Sequence, residues 1–272
     1  MSMLAGKVAF ITGAARGQGR SHAIRLAKEG ADIVAVDLCD QIDSVPYQLG
    51  TADDLRETVG MVESLGRNII ARAADVRDAT ALQRVVSESK REFGAIDIVV
   101  ANAGIAAVGS AGNSPNAFRD TIDVNLVGVW NTVTAAAPIM CEAGNGGAIV
   151  LISSTQGLKG VGGDGTAGIT AYTAAKHGVV GLMRSFAHWL ARYDIRVNTL
   201  HPTGVETPMI MNEAMGEFIA ANPAAAGVTE NLLRVPMIAP EDVSDAVAWL
   251  VSDHAKYVTG VTLPVDAGFT AR

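Results

Sequence analysis

Tyr172 and Lys176 stand four residues apart in the stretch ITAYTAAKHGVVGL, which continues as an apolar helical run. Side chains four apart share one face of a helix, so the ammonium can approach the phenol. A free tyrosine titrates near about 10 and does little acid–base work at neutral pH. A unit charge about 4 Å away, at an effective dielectric of about 20, is worth roughly 4 kcal/mol. At about 1.36 kcal/mol per pKa unit, the phenolate would gain up to roughly three units. The pair is then a candidate base for an alcohol proton. Chance also produces such pairs, so the neighbours decide its weight. The apolar run IVLISS ends eighteen residues before Tyr172 and places Ser153 and Ser154 at a strand's carboxyl end. That is where open α/β sheets bind ligands. A serine there can donate to a substrate oxygen while Tyr172 exchanges its proton, or both serines simply end the strand.

A second chemical signal lies in TGAARGQGR, where Gly13, Gly17 and Gly19 follow the first apolar run. Glycine permits a tight turn and lets backbone approach a pyrophosphate. The helix that follows would point its first N–H groups at that phosphate. The bland alternative is a turn that only reverses the chain. Against it, the next strand ends at Asp37, eighteen residues past Gly19. A carboxylate there accepts from a ribose 2′-hydroxyl and repels a 2′-phosphate, which favours NAD over NADP. Arg16 is the contrary residue, since it would suit a 2′-phosphate, an adenine ring or an ion pair with Asp37.

These groups need a scaffold. The runs KVAFITG, ADIVAVD, NIIARAAD, IDIVVANAG, GAIVLISS, IRVNTLHP and VTLPVDAG are mostly continuous rather than alternating in hydrophobicity. That suits strands buried on both faces of a parallel sheet. Amphipathic stretches lie between them, with Gly30, Gly66 and Gly94 at their ends. The order is β-α repeated, so the expected fold is α/β: a single Rossmann-type, doubly wound domain over residues 1–272, with about seven parallel strands and helices on both faces. The 272 residues are 49% hydrophobic and 18% charged, with a formal net charge of −7. Such a chain repels polyanions, so nucleic acid is not an expected partner. Cys39 and Cys141 are far apart and suggest a reducing compartment rather than a disulfide framework. No run reads as a signal peptide or a membrane span, and the expectation is a cytoplasmic protein with no membrane partner. No cluster has metal-ligand spacing.

TGAARGQG, NAG (Asn102, Ala103, Gly104), DVNLVG, ISS and YTAAK, in this order, resemble a short-chain dehydrogenase/reductase over nearly the whole chain. The resemblance implies a catalytic set of Asn125, Ser154, Tyr172 and Lys176. Tyr172 would be the general acid/base, and Lys176 would lower its pKa and hold the nicotinamide ribose. Ser154, preferred to Ser153 as the second serine of its motif, would polarise the reacting oxygen. Asn125 would anchor a proton-relaying water. Implied cofactor contacts are Gly13, Arg16, Gly17, Gln18 and Gly19 in the turn, Asp37 at the ribose, and Asp75 and Val76 near adenine. Asn102, Ala103 and Gly104 would follow along the cofactor. Pro202, Val205 and Thr207 would lie at the nicotinamide end with Tyr172 and Lys176, and Thr207 would meet the carboxamide. Two departures are Pro202-Thr203-Gly204, where the family has Pro-Gly, and a long interval from Ser154 to Tyr172 that contains KGVGGDGTAG.

Two long interruptions remain, at about 38–54 and 206–239; loops of this length are often functional. The first resembles the insert of carveol dehydrogenases and the mycofactocin-associated group. It implies NAD held without exchange, an apolar and terpenoid-like secondary alcohol as substrate, its ketone as product, and mycofactocin as an external redox carrier. The bland alternative for this insert is a surface loop without function. The second interruption carries Met209, Ile210, Met211, Met215, Phe218 and Ile219, suited to a lid over an apolar substrate or to a helix packed on the body. His201 reads as a strand-end residue and His177 as a helix-face residue. The long helix around Tyr172 has more than one apolar face, and the resemblance implies a homotetramer. The rival readings are a 3-oxoacyl reductase or 3-hydroxyacyl dehydrogenase, and a non-catalytic NAD-binding regulator.

Overall fold

Strands β1 (Val8–Thr12), β2 (Asp32–Asp37), β3 (Ile69–Ala73), β4 (Ile98–Ala101), β5 (Gly147–Ile152), β6 (Ile195–Pro202) and β7 (Thr262–Val265) form one parallel sheet in the computed structural model, which describes residues 2–223 and 230–272. The order is β3-β2-β1-β4-β5-β6-β7. β1 and β4 are buried along their whole length, as their unbroken apolar runs require. Each parallel crossover between them is made by a helix that covers one sheet face.

Helices α1 (Gly17–Lys28), α2 (Ala52–Ser64) and α8 (Pro240–Val251) build one core layer with Ile11, Ile33 and Val150. Helices α3 (Ala79–Phe93), α5 (Gly128–Ala143) and α6 (Ala167–Leu190) build the other with Phe10, Val99 and Leu151. Burying an aliphatic or Phe side chain of this kind contributes about 1.5–3 kcal/mol. Two shorter helices are α4 (Pro115–Ile122), which packs on α6, and α7 (Glu213–Ala221).

The punctuation follows from local chemistry. Gly94 ends α3 in the left-handed conformation, φ 81°. Thr51 caps α2 reciprocally with Asp54, so the helix starts at Ala52 and the insert is shorter than the expected 38–54. The long stretch at 206–239 holds α7 and a bridge between Val205 and Ile238; residues 224–229 of it lie outside the described residues. The helical stretch Pro115–Ala143 is long and apolar enough to cross a membrane by length and composition, contrary to the expectation of no such run. In that span, α5 packs on α3 and on strands β4 and β5 and supplies core residues such as Val133 and Met140.

The strand order reverses at β1, whose neighbours are β2 and β4. A crevice forms beyond the carboxyl ends of strands at such a switch point. The turn after β1, Asp37, Asn102 and Ser154 all meet at that edge of the sheet.

Candidate active site

The turn between β1 and α1 is set by contacts that only glycine allows. Gly13 and Gly17 have φ of +68° and +56°. A Cβ on Gly19 would lie 1.9 Å from the Gly13 carbonyl oxygen, so α1 rests directly on the turn. No side chain caps α1 at Arg16, and its first turn holds no acidic residue. Its opening N–H groups have no partner inside the helix and face a groove of about 150 Å³. That arrangement fits a diphosphate.

Gly13, Arg16, Gly17, Gln18, Asp37, Asp75, Val76, Asn102, Ala103, Gly104 and Thr207 all line this groove. Within it, Asp37 accepts hydrogen bonds from the Ala15 N–H (2.9 Å) and the Cys39 N–H (3.4 Å). Burial raises its pKa, and those N–H groups and Arg16 offset only part of the rise. Arg16 does not pair with Asp37; its guanidinium donates to the Gln48 carbonyl in the insert. Asn102 is largely committed: its Nδ2 donates to the carbonyls of Thr12 (3.0 Å) and Gly13 (3.2 Å) and fixes the turn. Asp75 is held by Arg77 at 2.7 Å.

A second cavity, of about 440 Å³, opens beside the groove; Gln18, Thr207 and Met209 line both. Ser154 and Tyr172 lie in its wall with Pro202 and Val205. Val161 and Gly162 from the glycine-rich stretch and Ile169 of α6 close one side, and Met215, Phe218 and Ile219 of α7 close another. The two candidate serines separate here. The Ser153 hydroxyl donates to the Lys176 carbonyl at 2.9 Å and anchors α6. The Ser154 hydroxyl accepts from the Gln156 N–H at 3.2 Å, which leaves its own proton to be donated.

Lys176 sits one turn from Tyr172 as the spacing requires, with Nζ 5.6 Å from the ring centroid. The electrostatic expectation is not met in the protein alone. Burial raises the Tyr172 pKa, and the Ser154 hydroxyl, not Lys176, pulls it back. The Lys176 pKa falls to about 8 through its own burial, and Nζ donates to the Ile152 carbonyl at 2.9 Å. The argument from spacing omitted the cost of desolvating both groups.

Asn125 lies in a π-helical turn, Asp123–Val127, between α4 and α5. Its side chain is held by one residue: Oδ1 accepts from the Ile105 N–H and Nδ2 donates to the Ile105 carbonyl, both at 2.8 Å.

This combination of turn, groove and hydroxyl pair can be set beside known proteins. A family model described as enoyl-(acyl carrier protein) reductase matches residues 13–270. A (−)-trans-carveol dehydrogenase of Rhodococcus erythropolis is 49% identical over 282 residues, covering 100% of both chains. The chain belongs to the short-chain dehydrogenase/reductase family. An uncharacterized oxidoreductase of Mycobacterium tuberculosis is 57% identical, over 98% of this chain and 97% of its own. The crystal structure of carveol dehydrogenase from Mycobacterium avium in complex with NAD superposes with a TM-score of 0.92 at 45% identity, covering 100% of each chain.

Motif reading of this dehydrogenase fold missed Gln41 and Tyr47. The Gln41 amide donates to the carbonyls of Ile42, Val45 and Tyr47 and accepts from the Leu49 N–H, so one side chain organises the insert. Tyr47 is buried in the groove, and its hydroxyl accepts from the Ala106 N–H at 3.1 Å. The aromatic residue in SVPYQLG was the available signal.

Proposed function

We propose that the protein oxidises an apolar secondary alcohol to its ketone, with NAD held in the groove and Tyr172 as the base. The observation that carries this reading is the wall of the second cavity. Ser154 and Tyr172 stand together among Val161, Ile169, Met215, Phe218 and Met237, next to the nucleotide groove. The carveol dehydrogenase relatives support the substrate class, and the NAD complex supports the cofactor. NAD, when bound, accepts the hydride. Ser154 donates to the substrate oxygen, Tyr172 takes the hydroxyl proton, and Lys176 holds the nicotinamide ribose. Asp37 accepts from the adenosine ribose. No lysine or arginine lines the cavity among the described residues, which disfavours a carrier-bound thioester and the 3-oxoacyl reductase reading.

On this reading the chain works as one domain in which the insert is a cover over the bound nucleotide and 206–239 is a substrate lid. The insert is tied down on three sides: to the phosphate turn by Arg16 and Gln48, to Ala106 by Tyr47, and to α4 by the Ser44 hydroxyl, which donates to Asp120 at 2.6 Å. A cover so fastened slows exchange of NAD, and an external carrier such as mycofactocin would then take the electrons. The test is to purify the protein without added nucleotide, denature it, and assay the supernatant. Stoichiometric NAD, with carveol oxidised in the presence of a redox dye but not of free NAD, is the expected result. Rapid turnover on free NAD with no retained nucleotide would refute a sealed cofactor. Tyr47→Ala should loosen the cover and cut the retained NAD severalfold.

The assembly is proposed to be a homotetramer in the cytoplasm, where the free thiols of Cys39 and Cys141 stay reduced. Leu126, Val127, Trp130, Gly178, Gly181 and Leu182 line one apolar hollow at the base of α5 and on α6, and Trp130 is 47% exposed. Gly178 makes room for Leu126 of the same chain, and Gly181, with nothing within 4 Å of a Cβ position, leaves room for a facing helix. Trp130→Asp would place a charge in a self-complementary contact and is expected to shift the species seen by sedimentation to a smaller one. An unchanged sedimentation coefficient would locate the interface elsewhere.

A further inference from the structure

We propose that His201 is a positioning residue for Ser154: it donates its Nδ1 proton to the Ser154 carbonyl, in a tautomer fixed by Thr199. This rests on the reading of Ser154 given above. The regular ladder between β5 and β6 closes with the Ser153 N–H donating to the Leu200 carbonyl at 2.8 Å. Ser154, one residue further on, has extended backbone at φ −169°. The His201 side chain supplies the next rung, with Nδ1 2.8 Å from the Ser154 oxygen. The same oxygen accepts from the Gly157 N–H at 2.9 Å, so the serine is clamped between β6 and its own turn.

The partners assign the proton. A carbonyl only accepts, so Nδ1 carries hydrogen. Nε2 lies 2.8 Å from the Thr199 hydroxyl. That hydroxyl has one proton, and its other acceptor, the Val261 carbonyl, is more distant at 3.4 Å. Thr199 therefore donates to Nε2, and a neutral ring satisfies both bonds. Burial keeps the ring neutral, as do Lys176 and His177 on α6, while the bond to the Ser154 carbonyl and Asp266 beyond β7 act against them. His201 is fully buried and lines neither cavity, so it acts through Ser154 rather than on the substrate. Serine placement matters because displacements of about 1 Å can cost about 100-fold in rate.

The test compares full-length Ser154→Ala, His201→Leu, His201→Asn and Thr199→Val in dye-coupled oxidation of carveol over a range of pH. His201→Leu should lower kcat roughly 10- to 100-fold with little change in KM or retained NAD. The pH midpoint of kcat should also move up, because Ser154 is the group that favours the Tyr172 phenolate. His201→Asn, whose amide can donate from the Nδ1 position, should recover most of kcat. A His201→Leu enzyme with unchanged kcat beside an inactive Ser154→Ala would overturn the proposal. So would His201→Leu and His201→Asn enzymes equally impaired with an unmoved pH midpoint. If His201→Leu does not fold, Thr199→Val carries the test: a lowered kcat supports the fixed tautomer and an unchanged one overturns it. An active Ser154→Ala enzyme would instead remove the assignment of the serine itself.

Discussion

Tyr172→Phe is expected to lower kcat for alcohol oxidation by about 10²- to 10⁴-fold, the usual weight of a positioned acid–base group. The ring stays in place on α6 beside Lys176, so the fold and the retained nucleotide should be unaffected. The unaltered enzyme should show the matching pH dependence. Burial holds the Tyr172 pKa above its ordinary value, so the phenolate becomes populated only as pH rises. Oxidation, which needs the phenolate, should therefore accelerate with pH, while ketone reduction, which needs the phenol, should be favoured at lower pH. Steady-state rates in both directions across a pH series, together with released NAD per chain, check all of this. Near-normal turnover by the Tyr172→Phe enzyme would show that another group removes the proton.

Gly19→Ala is expected to empty the nucleotide groove. Its new methyl would meet the Gly13 oxygen at 1.9 Å and the Gly13 carbonyl carbon at 2.6 Å, both backbone atoms that cannot swing aside. Either α1 lifts from the turn or the turn opens, and both move the N–H groups that would hold a diphosphate. Overpacking of this kind costs about 1–3 kcal/mol in stability. The NAD recovered per chain should fall at least about 10-fold, alongside a lowered Tm. Gly60→Ala on α2 is the control. A Cβ there has nothing within 4 Å, and the substitution should stabilise the protein by about 0.5–1 kcal/mol. Full nucleotide retention by Gly19→Ala would show that the turn does not carry the phosphates.

The layered fold was legible in the chain's own residues, because β-branched runs without alternation have no solvated face to offer and must lie inside a parallel sheet. So was the groove, since Gly13, Gly17, Gly19 and Asp37 are local to one β-α-β unit and their geometry follows from spacing. Tyr172 and Lys176 came together for the same reason, being one turn apart on α6. What spacing could not reach was the balance of forces between elements. The directions of the Tyr172 and Lys176 pKa shifts reflect burial in the folded chain, which no helical repeat encodes. The choice between Ser153 and Ser154 depends on which hydroxyl the Lys176 carbonyl takes. Asn125 is bound to Ile105, twenty residues away, and Arg16 to Gln48 of the insert rather than to Asp37. His201, a strand-end residue to the eye, reaches Ser154 only because β5 and β6 are neighbours. Hydrogen bonds saturate, so one partner excludes another, and only proximity in the folded chain determines which pairing is realised.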